Sequence, residues 1–166
     1  MTSCLLLIDI QKGFISEHTE HVIPRIEELL KNKRFEHIAA TRFINSENSP
    51  YRRILGWDRL SDGPETDLHP VVCKAADAIF EKDVYTAVSS GLLKYFSDNS
   101  VNDLFIAGID TDCCVLKTAA DLFENNIRTK VLAHYSASNG GQESHDAAIC
   151  VLQRLIGKDN VIGDKF

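Results

Sequence analysis

Four short segments of this chain, residues 4–9, 37–42, 104–109 and 129–134, carry nearly uninterrupted runs of large aliphatic and β-branched side chains. A strand with one wet face alternates apolar and polar residues, because successive side chains point to opposite sides. Runs that are apolar at both parities must be covered on both faces, the situation of parallel strands sandwiched between helices. The intervening segments supply the helices. Val22, Ile26, Leu29 and Leu30 recur at helical spacing, as do Val115, Thr118, Ala119, Leu122 and Phe123, and then Ala148, Val151, Leu152 and Leu155. Two weaker strands at 78–81 and 160–162 and a helix at 90–96 complete an alternating order. That order predicts a three-layer α/β/α, Rossmann-like fold with a mainly parallel sheet of about six strands and right-handed crossovers. The 166 residues suit one domain, 1–166.

Residues 43–70 break the pattern, holding Pro50, Pro64 and Pro70, Gly56 and Gly63, and the only tryptophan, Trp57. A connection of that length inside a compact domain is uncommon and is usually functional or interfacial. The net charge of -6, with no basic run longer than Arg52-Arg53, removes the electrostatic footprint of a nucleic-acid binder. The apolar stretch at 5–8 has no basic leader and is too short for a signal peptide or membrane span. Five cysteines in irregular spacing, with Cys113 and Cys114 adjacent, give no disulfide framework and suit a reducing, cytoplasmic compartment.

In an open parallel sheet, ligands bind beyond the carboxyl ends of the strands. Asp9 closes the first strand, Lys82 follows the weak strand at 78–81, and residues 108–115 join a strand to a helix. Cys114 would then lie in the first turn of that helix, where free N–H groups and the helix dipole favour a thiolate. Asp9 is placed to accept the thiol proton and return it to a leaving group, with Lys82 neutralising both anions. Each residue also has a plain structural reading: a packed cysteine, a turn-capping aspartate, and a solvated charge cluster of Lys82 with Glu81 and Asp83. Arg42 and Asn45, just past a strand end, are candidates for orienting a substrate carbonyl or carboxylate, the alternative being that Arg42 pairs with an acidic residue of the 43–70 insertion. Phe14, Trp57, Tyr85 and Tyr135 are candidate pocket walls.

Residues 6–14 (Leu-Leu-Ile-Asp-Ile-Gln-Lys-Gly-Phe), 81–87 (Glu-Lys-Asp-Val-Tyr-Thr-Ala) and 108–115 (Gly-Ile-Asp-Thr-Asp-Cys-Cys-Val) resemble three separated motifs of the isochorismatase-like cysteine hydrolases. That family includes nicotinamidases and N-carbamoyl amidases. The likeness covers nearly the whole chain, including Asp67-Leu68-His69-Pro70 and the tail from 136 to 148. The resemblance implies a catalytic triad on Asp9, Lys82 and Cys114. It also implies a cis Ile109–Asp110 peptide and an oxyanion hole from the backbone N–H groups of Asp110 and Cys114. The implied reaction is hydrolysis of a C–N bond of a small molecule through a Cys114 acyl-enzyme, by a homodimer or homotetramer without a cofactor. Nicotinamidases carry an Asp-x-His metal motif after the second strand, whereas residues 41–49 contain no histidine, so no metal is expected. His69 alone is too few ligands. True isochorismatases lack the nucleophilic cysteine, and retention of Cys114 points to carbonyl chemistry. Two rivals on the same fold are a thiol redox sensor using Cys113 and Cys114, and a binding module without turnover.

Overall fold

The structure, a computed structural model, describes residues 2–33 and 35–166. The strands β1 (Thr2–Ile8), β2 (His37–Phe43), β3 (Ala78–Lys82), β4 (Val101–Gly108), β5 (Thr129–Leu132) and β6 (Val161–Ile162) form one parallel sheet in the order β3-β2-β1-β4-β5-β6. Helices α1 (Val22–Asn32) and α3 (Pro70–Ala75) cover one face, and α4 (Ser90–Asp98), α5 (Leu116–Glu124) and α6 (Gln142–Ile156) cover the other. The expected strands are all present, with no end displaced by more than three residues.

β1 explains why its run is apolar throughout. Cys4, Leu6 and Ile8 pack with Leu92, Phe96, Ala119, Leu122 and Leu152, whereas Leu5 and Leu7 pack with Val22, Ile26, Leu29 and Val72. Neither parity meets water. On α5 and α6 the buried stripe is narrower than the sequence period suggests, because Phe123, Val151 and Leu155 turn outward while Leu122, Ala148, Leu152 and Ile156 face the sheet. No helix among the described residues is long and apolar enough to cross a membrane.

From β1 the chain steps outward to β2 and β3, then crosses back to β4 and continues outward the other way. This reversal opens a crevice at the carboxyl ends of β1 and β4, where ligands bind in open α/β sheets. Ile8 pairs with Gly108 and Phe43 with Lys82, so Asp9, the loop after Gly108 and Lys82 reach one edge together. The long connection after β2 is ordered by α2 (Pro50–Arg53), capped by Ser49, and by a 3-10 turn at Gly63–Thr66. Phe43, Tyr51 and Leu60, with Phe14 and Trp57 against them, give it an apolar centre of its own.

Gly108 is where β4 crowds β1: its φ is +145°, and a Cβ there would lie 2.2 Å from Ile8 O. Gly108→Ala should therefore destabilise the fold by about 3 kcal/mol, while Gly163→Ala, whose Cβ meets nothing within 4 Å, should be near neutral. Urea unfolding of the two variants checks this; equal midpoints would contradict the packing described.

Candidate active site

Asp9 directly follows β1 in left-handed backbone, φ 48°, which swings its side chain across the sheet edge toward β2 and β3. It is fully buried. Thr41 Oγ1 in β2 accepts from Asp9 N–H at 3.1 Å and donates to Asp9 Oδ1 at 2.7 Å. Asp9 Oδ2 lies 2.6 Å from Lys82 Nζ, whose side chain is only 6% exposed. At that distance the ammonium and the carboxylate form a close ion pair, and the charge of Asp9 helps to keep Lys82 protonated. Nζ also lies within hydrogen-bonding reach of Val84 O (2.8 Å), Tyr85 O (3.1 Å) and Cys114 Sγ (3.5 Å).

Cys114 lies in a wide turn, Thr111–Val115, that runs into α5, closed by Val115 N–H reaching back to Asp110 O at 3.1 Å. Such π-type turns occur disproportionately at functional sites. The Ile109–Asp110 peptide is cis. Burial pushes the Cys114 thiol well above its ordinary pKa, the Asp9 carboxylate pushes it further, and Lys82 only partly offsets them. The expectation of a resting thiolate is therefore corrected: a second anion beside buried Asp9 costs more than one ammonium and a helix terminus recover. Burial works against the Lys82 ammonium too, but the charges of Asp9 and Cys114 outweigh it and raise its pKa.

Above Cys114 opens a cavity of about 270 Å³. Phe14, Trp57 and Tyr85 line it, as the sequence suggested, together with Phe43, Tyr51, Arg59, Asp110, Cys113 and Asn139. Phe14 and Trp57 stack with centroids 6.2 Å apart, and Tyr85 meets Tyr51 edge-on at 5.0 Å. Asp110 Oδ1 accepts from both Asn139 N and Nδ2 at 2.8 Å, and burial holds its carboxyl up at about 6. Burial raises the Cys113 thiol to about 12, helped by Asp112 and Asp110.

Three expected substrate contacts are not there. Arg42 pairs with Glu81 on the neighbouring strand and borders a separate surface depression with Lys12 and Asp67. Asn45 is buried and donates to the carbonyls of Trp57 (3.0 Å) and Arg59 (2.9 Å), pinning the connection after β2. Tyr135 is in the core, with its hydroxyl accepting from Phe166 N–H at 3.2 Å. Thr41, Tyr51, Arg59 and Asn139 were missed; a threonine inside a buried apolar run and an Asn-Gly-Gly turn were the available signals.

The residues do not fit a metal of the nicotinamidase kind. The positions after β2 are engaged as described, His69 caps α3 by accepting from Val71 N–H at 3.3 Å, and no three His, Cys, Asp or Glu side chains converge on a metal position among the described residues. A second cleft of about 380 Å³ gathers His18, His21, Arg25, His134 and His145 on the far side of the Thr111–Val115 turn.

With this geometry in view, the family model for the Isochorismatase domain matches residues 3–158. The chain belongs to the isochorismatase family. Nicotinamidase/pyrazinamidase of Mycobacterium tuberculosis is 31% identical over 107 residues, covering 58% of this chain and 55% of that protein. Isochorismatase family protein 2A of Dictyostelium discoideum is 26% identical over 139 residues, 79% of this chain and 64% of that protein. The chain thus spans under two thirds of the length of these relatives. Among solved structures, an isochorismatase-like hydrolase from Alkaliphilus metalliredigens superposes with a TM-score of 0.82 over 98% of this chain and 94% of that one, at 20% identity, a likeness of fold.

Asp110 yields a pH test. Its carboxyl protonates at about 6 when folded against 3.8 ordinarily. Its stabilising contribution is therefore full below pH 3.8 and is lost as pH rises through about 6. The unfolding free energy of wild type minus that of Asp110→Asn should fall between pH 4 and 7; parallel curves would refute the assignment.

Proposed function

We propose that this family member is a cysteine hydrolase that cleaves the C–N bond of a small amide, ureido or carbamoyl compound through a Cys114 acyl-enzyme. The observation that carries the reading is the buried Asp9–Lys82 ion pair in contact with the Cys114 sulfur at the floor of an aromatic-walled cavity. A buried charge pair is costly unless it is used or fully matched, and here the pair touches the sulfur of Cys114. The relative whose name describes an amidase supports a C–N bond as the target.

The raised thiol pKa sets the order of events. As Sγ attacks the carbonyl carbon, its proton passes to Asp9, so the site never holds two anions beside one cation. The N–H groups of Asp110 and Cys114 are the proposed donors to the oxyanion. When the tetrahedral intermediate collapses, the C–N bond breaks and Asp9 delivers the proton to the departing nitrogen. Water then attacks the thioester, Asp9 takes a proton from it, and the acid leaves as the thiol is restored. Lys82 remains an ammonium throughout and holds Asp9 in place. Redox use of Cys113 would leave the Asp9–Lys82 pair without a task.

A panel of small amides, ureides and carbamoyl compounds, scored for ammonia or amine release, should yield at least one substrate. Cys114→Ala and Asp9→Asn should each lower kcat by roughly a thousandfold or more, whereas Cys113→Ala should stay within a few-fold. An acylation burst in wild type and none in Cys114→Ala is expected; equal activity of Cys114→Ala would overturn the mechanism. Turnover should also survive exhaustive chelation, and activity restored by one added metal after chelation would show ligands this geometry does not gather.

A further inference from the structure

We propose that the cavity selects a substrate whose non-reacting end is cationic, bound between the aromatic walls and the carboxylate of Asp110. The inference rests on the hydrolase reading for the reacting end and adds the chemistry of the other end.

The charges around the cavity do not cancel. Asp9 is matched by Lys82, and Arg59 is matched by Glu65, with its Nε and Nη2 on Glu65 Oε1 at 3.0 and 2.8 Å and Nη2 also toward Gly13 O at 3.3 Å. Asp110 has no such partner. Both donors that reach it, Asn139 N and Nδ2, are neutral and share Oδ1, and Oδ2 receives no hydrogen bond among the described residues. Among the described residues Asp112, on the same turn, also makes no ion pair, and its Oδ1 is buried without a hydrogen-bond partner. The hydroxyl of Tyr85 registers this field: burial raises its pKa first, and the neighbouring Cys113, Cys114, Asp110 and Asp112 raise it further.

Facing this carboxylate are the rings of Phe14, Tyr51, Trp57 and Tyr85. Aromatic faces attract a cation through their quadrupoles, most strongly where water is displaced, and they repel an anion. A carboxylate held by neutral donors beside such rings is the arrangement that takes an ammonium or trimethylammonium group. An anionic substrate would have to displace Glu65 from Arg59 and tolerate Asp110.

Trp57 is the only tryptophan, so its fluorescence reports on the cavity directly. The probes are three primary amides of similar size: trimethylammonioacetamide, 3,3-dimethylbutanamide and malonamate. They are titrated into Cys114→Ala at pH 8, where Asp110 is ionised. The cationic amide should bind roughly tenfold or more tightly than its neutral isostere, the anion should bind weakest, and Asp110→Asn in the same background should erase most of the difference. Equal binding of cation and neutral isostere, persistence of the preference in Asp110→Asn, or no saturable response to any probe would overturn the inference. Tightest binding by malonamate, lost on Arg59→Gln, would do the same and assign the selectivity to Arg59. The Cys114→Ala series decides the charge preference even if Asp110→Asn does not fold. Ammonia release from wild type separates the two proposals: a cation that binds but is not hydrolysed counts against the hydrolase alone, and hydrolysis without charge preference counts against this inference alone.

Discussion

The ion pair between Asp9 and Lys82 is the constraint around which the carboxyl edge of the sheet is arranged. Taking both charges out of water costs several kcal/mol per ion unless geometry and further polar contacts compensate. The compensation comes from neighbouring strands: Thr41 Oγ1 of β2 on Asp9, and the carbonyls of Val84 and Tyr85, just after β3, on Lys82. Asp9 follows β1, Lys82 ends β3, and the sulfur they face follows β4. A one-residue slip of β3 against β2 would turn Lys82 to the other face of the sheet. The apolar runs that fix strand register thus also fix the site.

The pair also governs the sulfur. With Asp9 already anionic, a free thiolate would add a second negative charge in a dry environment, and a single ammonium does not hold both. In the proposed reaction the proton therefore moves within the site, from sulfur to carboxylate, as the new bond forms. Thr41 donates to Oδ1 and Lys82 pairs with Oδ2, so both carboxylate oxygens of Asp9 are held in place beside the sulfur. The proposed reactivity of this cysteine would arise from proximity of a base rather than from a depressed pKa, a different route from that taken by exposed thiolates at helix termini.

What could be read from the sequence follows from which forces are local. The buried strands announced themselves because burial on both faces requires apolar residues at both parities, and Asp9 and Lys82 stood out as charges at the ends of such runs. Cys114 was distinguishable from Cys113 only through the resemblance of residues 108–115 to a family motif. The pocket walls were partly legible: Phe14, Trp57 and Tyr85 line the cavity, but Tyr135 does not. A short 3-10 turn, Ala133–Tyr135, carries that ring into the core under α1, and no local signal distinguishes the two outcomes. Arg42 and Asn45 were misplaced for a similar reason. Side-chain direction alternates along β2, so Thr41 and Phe43 share one face while Arg42 points to the other. Asn45 is claimed by carbonyls twelve and fourteen residues downstream, contacts that sequence separation conceals.

The connection after β2 supplies much of the cavity yet does not disturb the strand ends, and Gln11 explains how. Fully buried, it donates from Nε2 to Phe43 O (2.9 Å) and Thr66 O (3.0 Å) and accepts from Phe43 N–H at Oε1 (2.7 Å). All three partners are backbone groups. On the opposite rim Asn139 does the same work, donating to Phe14 O at 3.1 Å as well as to Asp110. Two amide side chains therefore join the loops that line the pocket to the strands that hold the reacting groups, mainly through main-chain contacts that do not depend on loop side chains. Removing either amide would strand buried carbonyls, at about 1–3 kcal/mol each, whereas exchanging Tyr51 or Trp57 would change the walls and leave these bonds intact. In the proposed function, substrate selection and bond-breaking chemistry would thereby fall to separate residues held on one frame.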